Sequence, residues 1–265
     1  MSVWTVANQK GGVGKTTTVV SLGGLCALRG KRTLLVDLDP HGSLTAYFGF
    51  DPESAEPSLY DLFREGGGNS EAALRDTGVD NLSLLPASTA LATLDRQLGA
   101  RQGMGLILHN GLEALSGHFE RVILDCPPML GVLMVNALAA GERLIVPVQT
   151  EFLALKGLER MVRTLEMIRR SQRRALPYLI VPTLYDQRTR ASVESLATLR
   201  SQYPERLWDG VIPEDTLFRD ASKRGRPLTV LRPWERGSQA YRKLLAGLEQ
   251  EAAMATTAAR AVGYE

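Results

Sequence analysis

The residues best suited to chemistry lie near the start of the chain, in the glycine-rich stretch QKGGVGKTT of residues 9–17. An ordinary phosphate-binding loop reads G-x-x-x-x-G-K-[ST]; here Gly14, Lys15 and Thr16 supply its end, and Gln9 occupies the place of its first glycine. A glycine loop that opens a helix points backbone N–H groups and the positive helix terminus at one spot, which suits a phosphate chain. We therefore expect Lys15 to reach the terminal phosphates and the Thr16 hydroxyl to ligate Mg²⁺.

A second lysine, Lys10, lies on the same loop. From this position it is badly placed to contact the γ-phosphate of its own subunit together with Lys15. It could instead reach the nucleotide of a second subunit and neutralise charge in trans, as an arginine finger does. This interpretation predicts a nucleotide at a dimer interface.

Two groups of carboxylates are candidates for holding Mg²⁺ and water beside such a loop. Asp125 ends the apolar run RVILD, as expected of a magnesium carboxylate at a strand terminus. Asp37 and Asp39 end the run TLLVDLDP, where period-two alternation puts both on one side. Either could orient a water that attacks the γ-phosphate, or the pair could simply shape the turn before Pro40.

The elements that must position these residues follow from the hydrophobic pattern. Runs rich in Val, Ile and Leu alternate with helix-length segments, and several are apolar almost throughout, as expected of strands buried on both faces of a parallel sheet. The predicted strands are 3–7, 33–37, 82–86, 121–125, 144–148, 178–182 and 207–212, and the predicted helices are 15–29, 104–117, 132–140, 153–174, 190–202 and 235–252. This order predicts an α/β fold, with a doubly wound, mostly parallel sheet flanked by helices and ligands at the carboxyl ends of its strands.

Length and composition agree with one domain. The chain has 265 residues and 44% hydrophobic content, enough for a single core, which we assign to 1–252, with 253–265 as a small-residue tail expected to be frayed or weakly helical. No apolar run is long enough for a membrane span, and no signal peptide fits before the loop, so we expect a cytoplasmic protein. The two cysteines, Cys26 and Cys126, form no C-x-x-C pattern and are expected to be core residues.

Charge is unevenly distributed along the chain, although the net charge is only +2. Residues 159–190 hold eight arginines against three acidic residues, and residues 219–243 hold eight basic against two acidic residues. The rest of the chain is therefore acidic. These two windows either face a polyanion or are solvated helix faces, and charge alone leaves both interpretations open.

The chain resembles the ParA/Soj branch of the deviant Walker A ATPases, in the ParA/MinD superfamily. The resemblance rests on KGGVGKTT, VDLDPHGSLT, VILDCPP, PTLYDQRTRAS, VIPEDTLFRDASKRGRP and SQAYRKLL, in that order over nearly the whole length. It implies an ATP-dependent sandwich homodimer in which Lys10 contacts the partner's nucleotide, Asp39 positions the attacking water and Asp125 is the Walker B acid. The residues implied in ATP binding are Gly11, Gly12, Val13, Gly14, Lys15, Thr16, Thr17, Thr183 and Pro213, and those implied at the magnesium ion are Thr16, Asp39 and Asp125.

Two positions depart from that family. The usual DPQGN reads Asp39-Pro40-His41-Gly42-Ser43, where His41 either titrates near neutral pH or only replaces the hydrogen bond of the glutamine; we expect the second. The usual IPRN reads Ile212-Pro213-Glu214-Asp215, which weakens the transfer of base or partner contacts.

The resemblance implies a slow, partner-stimulated ATPase that binds nonspecific double-stranded DNA in its ATP state and positions a cargo, with a ParB-like or adaptor protein stimulating hydrolysis. The segments DPHGS, LLPASTALATL and VPVQTEFLALKGLERM are similar to ParA-like proteins of chemotaxis and flagellar gene clusters, which favours chemoreceptor arrays or polar machinery over chromosome or plasmid partition. Residues in segments where ParA-like proteins contact DNA are Arg188, Arg190, Arg219, Lys223, Arg224 and Arg226. This implies a nucleoid-associated or polar location.

Four other functions fit these residues less well. A MinD-like membrane switch needs a basic amphipathic C-terminal helix, and the tail EAAMATTAARAVGYE offers little of one. A cobyrinate amidating synthetase needs a glutamine-processing domain, and an iron–sulfur reductase needs facing thiolates. A scaffold that binds ATP without turnover is disfavoured by Asp39 and Lys15.

Overall fold

The computed structural model describes residues 1–68, 70–98, 104–172 and 176–262. Within them, seven strands form one sheet. The strands are β1 (Ser2–Val6), β2 (Thr33–Asp37), β3 (Arg75–Val79), β4 (Leu82–Leu85), β5 (Arg121–Asp125), β6 (Arg143–Gln149) and β7 (Tyr178–Thr183). The helices are α1 (Lys15–Leu28), α2 (Ser43–Tyr47), α3 (Leu59–Arg64), α4 (Leu91–Leu98), α5 (Ile107–Glu113), α6 (Val132–Ala140), α7 (Phe152–Gln172), α8 (Arg190–Gln202), α9 (Leu217–Lys223), α10 (Leu228–Leu231) and α11 (Arg236–Val262).

The sheet has the strand order β3-β4-β2-β5-β1-β6-β7. Adjacent strands of the sheet are parallel, except that the edge strand β3 is antiparallel to β4. The predicted doubly wound, mostly parallel α/β fold is therefore confirmed. Because β2, β5, β1 and β6 are adjacent, the loops that follow them meet at one edge of the sheet, as required for a shared ligand site.

Apolar residues of the central strands alternate between two cores. On β5, Val122 and Leu124 face the core that includes α5 and α6, whereas Ile123 faces the core that includes α1 and α11. This covering of both faces explains why these strands have continuous apolar runs. No helix within the described residues has the length and apolar composition needed to cross a membrane.

One predicted strand, 207–212, was wrong. Leu207 forms a single bridge with Ile180 of β7, after which the backbone bends away at Asp209 and Gly210. Gly210 lies against the Trp208 ring, since an added Cβ would come 2.5 Å from its Cζ2. The bend thus interrupts the pairing with β7, which resumes where Ile212 N donates to the Pro182 backbone oxygen at 2.8 Å, and an apolar run alone cannot show such an interruption.

Three further differences concern elements of low sequence signal. The edge strand β3 was missed because only one of its faces is buried and it contains polar residues and Gly78. The short helices α2, α3, α4, α9 and α10 were missed because each has too few turns for a periodic pattern. The helix α11 continues past the predicted end at 252, so the described part of the predicted tail, 253–262, has helical backbone.

Candidate functional site

The phosphate loop connects β1 to α1. Gly14 has a φ of 86°, in the left-handed region that favours glycine, and it caps α1 without a side-chain hydrogen bond. The first N–H groups of α1 therefore have no intrahelical partner and face the loop. Gly11 and Gly12 are exposed, and a Cβ added at either would meet nothing within 4 Å, so the loop is open to a ligand on this side. This arrangement is a cradle for an anion.

The two lysines of the loop point to different places. Lys15 is only 8% exposed, and its Nζ donates to the backbone oxygen of Lys10 at 3.2 Å, within the loop. Lys10 instead forms an ion pair with Glu151, at the start of α7. The backbone N–H of Lys10 donates to Asn8 Oδ1 at 3.1 Å, and Asn8 Nδ2 donates to the backbone oxygen of Pro147 at 2.7 Å, which anchors this side of the loop to β6.

The predicted magnesium residues Thr16 and Asp125 are in direct contact. Thr16 Oγ1 donates to Asp125 Oδ2 at 2.6 Å. The other carboxylate oxygen, Oδ1, is buried and has no hydrogen-bond partner among the described residues. Burial raises the pKa of Asp125 well above its ordinary value, and the negative charge of Asp37 raises it further. A divalent cation at this place would satisfy Oδ1 and stabilise the ionised form.

Asp37 has a structural task, the alternative that the sequence left open for Asp37 and Asp39. Its Oδ2 accepts hydrogen bonds from Thr45 N at 2.8 Å and from Thr45 Oγ1 at 2.7 Å, while Oδ1 accepts from Asp39 N at 3.1 Å. Thr45 Oγ1 also accepts from Ala87 N at 2.8 Å, which ties α2 to the segment after β4. Burial raises the pKa of Asp37 to about 7. The motif VDLDPHGSLT contains Thr45, but no local pattern signals this contact.

Asp39 lies closer to the surface than Asp37. Its side chain is 15% exposed, and its Oδ1 accepts from the backbone N–H of His41 at 3.0 Å and lies 2.9 Å from His41 Nδ1. The negative charge of Asp39 contributes to raising the pKa of Asp125, so the two carboxylates share one site. The structure thus brings Lys15, Thr16, Asp39 and Asp125 together at the ends of β1, β2 and β5.

A cavity of about 120 Å³ adjoins the loop on the side of β7. The predicted base-contacting residues Thr183 and Pro213 line it together with Gly14 and Thr17. Thr183 Oγ1 donates to the backbone oxygen of Val13 at 2.8 Å, which fixes the cavity wall to the loop. Other lining residues, which the sequence did not assign to a base-binding cavity, include Phe218, Arg219 and Tyr241. The cavity is adjacent to the phosphate cradle and largely apolar, as a base requires.

The two residues of the acidic pair Glu214-Asp215 have different surroundings in the fold. Asp215 joins two helices, because its Oδ1 accepts from Leu217 N of α9 at 3.0 Å and its Oδ2 accepts from Gly237 N of α11 at 3.3 Å. The Glu214 side chain is exposed at the edge of the cavity and of a groove of about 850 Å³ beside it.

Three of the six basic residues predicted to contact DNA are held by other groups. Arg188 binds Asp186 through two contacts, Nε to Oδ1 at 2.9 Å and Nη2 to Oδ2 at 2.8 Å, and these bonds lower the pKa of Asp186 to about 2. Arg190 pairs with Glu194 at 2.6 Å, and Arg226 Nη2 donates to the backbone oxygen of Gly78 at 3.0 Å.

The other three, Arg219, Lys223 and Arg224, are exposed on α9 and just after it, and within the described residues they have no ion-pair partner. Because Arg219 also lines the cavity beside Thr17, the free basic surface begins at the nucleotide cavity.

Comparisons with known proteins agree with this arrangement. A family model described as an AAA domain matches residues 1–178. The chain is 33% identical over 237 residues to the sporulation initiation inhibitor protein Soj of Bacillus subtilis (strain 168), which covers 89% of this chain and 93% of that protein. It is 36% identical over 247 residues to the chromosome partitioning protein ParA of Caulobacter vibrioides (strain NA1000 / CB15N), which covers 92% of each.

A solved structure with a similar fold is cobyrinic acid a,c-diamide synthase from Mycobacterium smegmatis with bound ADP and magnesium. Its TM-score is 0.81 at 37% identity, and the match covers 94% of both chains. The site geometry fits the groups present in that structure, because this chain has an open phosphate cradle and an unsatisfied carboxylate oxygen at Asp125.

Proposed function

The chain belongs to the ParA/Soj type of P-loop ATPases in the ParA/MinD superfamily, and we propose that it is a slow ATPase that dimerises around ATP, binds nonspecific duplex DNA in that state and positions a cellular cargo. The observation that carries the proposal is that the two loop lysines lie in different places. Lys15 lies inside the phosphate cradle, whereas the Lys10 ammonium group lies at the rim in an ion pair with Glu151. A lysine at the rim suits contact with the nucleotide of a second subunit.

In this proposal Mg²⁺·ATP is held by groups already in place. Backbone N–H groups at the start of α1 and Lys15 bind the phosphates, and Thr16 and Asp125 hold the magnesium ion. The bound ion supplies charge neutralisation at the phosphates. Asp39 accepts a hydrogen bond from the attacking water and orients it toward the γ-phosphate, and dimerisation excludes bulk water. Catalysis of this kind depends on positioning, which agrees with a slow rate that a partner protein raises.

Gating of DNA binding by nucleotide is supported by the position of Arg219. Arg219 lines the cavity beside Thr17, Lys223 of the same helix is exposed, and Arg224 directly after the helix is exposed as well. Contacts of such basic residues with phosphates give affinity that is independent of sequence. A nucleotide in the cavity would therefore lie against the helix that carries Arg219 and Lys223.

The cargo is proposed from sequence similarity alone. The motifs favour a chemoreceptor array or other polar machinery, with chromosome or plasmid partition next, and an adaptor or ParB-like protein as the stimulating partner. The protein would then act in the cytoplasm, on the nucleoid or at a cell pole. Deleting the gene and imaging chemoreceptor clusters and replication origins in the same cells distinguishes these cargoes, because only the true cargo loses its regular placement.

Cobyrinate amidation is not favoured, although a relative of similar structure carries that name. Glutamine-dependent amidation commonly uses a reactive thiolate to release ammonia. Both cysteines of this chain, Cys26 and Cys126, are fully buried. Burial raises the pKa of each thiol, so neither has the character of a reactive nucleophile.

The test is binding of random-sequence duplex DNA with ATP, with ADP and without nucleotide, at several salt concentrations. We expect binding that requires ATP, weakens steeply with salt and falls in Arg219→Ala. The matched control is Lys156→Ala, which removes an exposed lysine of α7 that pairs with Glu159. Because Arg219 lines the cavity, ATP affinity is measured in parallel. Binding that ignores nucleotide, or no binding at all, would overturn the proposal.

A further inference from the structure

His41 stands where the family motif usually has glutamine. It contacts Asp39, the carboxylate that we propose positions the attacking water. His41 Nδ1 lies 2.9 Å from Asp39 Oδ1, and the His41 backbone N–H donates to the same oxygen at 3.0 Å. A carboxylate oxygen accepts hydrogen bonds, so His41 Nδ1 is assigned as the donor in this contact. The imidazole is 83% exposed, so this contact, and not packing, accounts for its position.

The contact makes the two oxygens of Asp39 unequal. Oδ1 accepts two hydrogen bonds from His41, whereas Oδ2 accepts none within the described part of the chain. A free carboxylate can rotate and exchange its two oxygens, but one with an engaged oxygen cannot do so without losing both bonds. His41 therefore leaves a defined oxygen, Oδ2, for a water molecule.

The turn around His41 is rigid enough to hold this geometry. Gly42 N donates to the Asp39 backbone oxygen at 2.8 Å, and Gly42 has a φ of 63°, in the left-handed region. An added Cβ at Gly42 would lie 2.2 Å from Pro52, so the loop cannot move closer to its neighbour. At the other end, Asp39 N donates to buried Asp37.

We propose that His41 is a positioning residue for ATP hydrolysis, which acts through Asp39 by engaging Oδ1 and thereby orienting Oδ2 toward the attacking water. This inference rests on the proposed function, because it requires Asp39 to position that water. It assigns a task to the residue in which this chain departs from its family motif. Groups that orient a ligating or reacting carboxylate affect rate more than binding when the substrate does not touch them.

The test uses single-turnover ATP hydrolysis by the full chain, with ATP affinity and thermal midpoint measured for each variant. His41→Leu keeps a similar size and the backbone N–H but removes the side-chain donor, and we expect its hydrolysis rate to fall between about 10-fold and about 100-fold with unchanged ATP affinity. In His41→Asn the amide nitrogen stands where Nδ1 stood, so this variant should recover most of the rate. The thermal midpoint should change little, because the ring is exposed.

Asp39→Asn separates failure of the inference from failure of the proposed function. If Asp39→Asn hydrolyses ATP as fast as the wild type, the water-positioning role of Asp39 is wrong and the inference fails with it. If Asp39→Asn is inactive but His41→Leu matches the wild type, only the inference is overturned. It is also overturned if His41→Asn loses as much rate as His41→Leu, or if the loss in His41→Leu lies in ATP affinity.

Discussion

Thr16 Oγ1 donates a hydrogen bond to Asp125 Oδ2 at 2.6 Å, so the first turn of α1 is joined directly to the end of β5. The two residues are 109 positions apart in the chain and meet only because β5 lies beside β1 in the sheet. The contact leaves Asp125 Oδ1 buried without a partner among the described residues. An unsatisfied carboxylate oxygen next to a threonine hydroxyl is a ready site for a divalent cation.

Asp125→Asn should therefore reduce the magnesium dependence of ATP binding. The amide still offers an oxygen to Thr16, but it lacks the charge that attracts the cation. We expect Mg²⁺ to strengthen ATP binding much less in the variant, while ADP binding in EDTA stays near that of the wild type. Titration of a fluorescent nucleotide with and without Mg²⁺ measures both. Asp80→Asn, at an exposed turn, is the control, and equal magnesium dependence in both variants contradicts the assignment.

Lys15→Ala and Lys10→Ala should affect different properties of the protein, ATP binding in the first and dimerisation in the second. Lys15→Ala removes the cation inside the cradle and should abolish ATP binding. Lys10→Ala breaks only a half-exposed ion pair with Glu151 in the monomer, so it should spare ATP binding and lose the ATP-dependent dimer. Sedimentation in ATP, combined with nucleotide titration, measures the two effects. Loss of ATP binding in Lys10→Ala would instead indicate that Lys10 binds the nucleotide of its own subunit.

The stability of the nucleotide-free protein should fall as pH rises toward neutrality. Burial raises the pKa of Asp37 to about 7, above its ordinary value of 3.8. Between these values the folded state binds a proton that the unfolded state has released, so this contribution is complete below the lower value and is lost as pH rises through the upper one. One such group gives a slope of at most about 1.4 kcal/mol per pH unit.

Urea unfolding at pH 5, 6 and 7 measures this slope, with Asp37→Asn as the comparison. The variant does not titrate at this position and should show a shallower decline. It should also be less stable overall, by about 1–3 kcal/mol, because its amide group faces backbone and hydroxyl donors. Identical slopes in the two proteins would show that Asp37 is not the group responsible.

Lys223 should contribute to DNA affinity without affecting the nucleotide. It is exposed on α9, has no ion-pair partner among the described residues and does not line the cavity beside Thr17. Lys223→Ala should lower DNA affinity and reduce the slope of log affinity against log salt concentration by about 1, with ATP affinity unchanged. Fluorescence anisotropy over a salt series measures the slope. An unchanged slope would place Lys223 outside the DNA-contacting surface.

Much of the site was predictable because its signals are local. The loop residues Lys10 to Thr17 are contiguous, and Asp39 and Asp125 each follow an apolar run whose end marks a strand terminus. Parallel strand order then brings such termini to one edge of the sheet. By contrast, an apolar run could not reveal that a bend at Asp209 and Gly210 interrupts the segment 207–212, and an edge strand with one polar face gave no signal at β3.

The sequence by itself determined the phosphate loop, the fold class, the family and the residue types that could hold Mg²⁺·ATP, because each depends on short patterns of residues close together in the chain. Only the tertiary structure decided which groups meet: Lys10 with Glu151, Thr16 with Asp125 and Asp37 with Thr45. It also divided the basic residues into those held by partners and those on α9 that have no ion-pair partner in the described part of the chain. Such pairings depend on strand order, on burial and on the direction of each side chain, which a linear pattern does not contain.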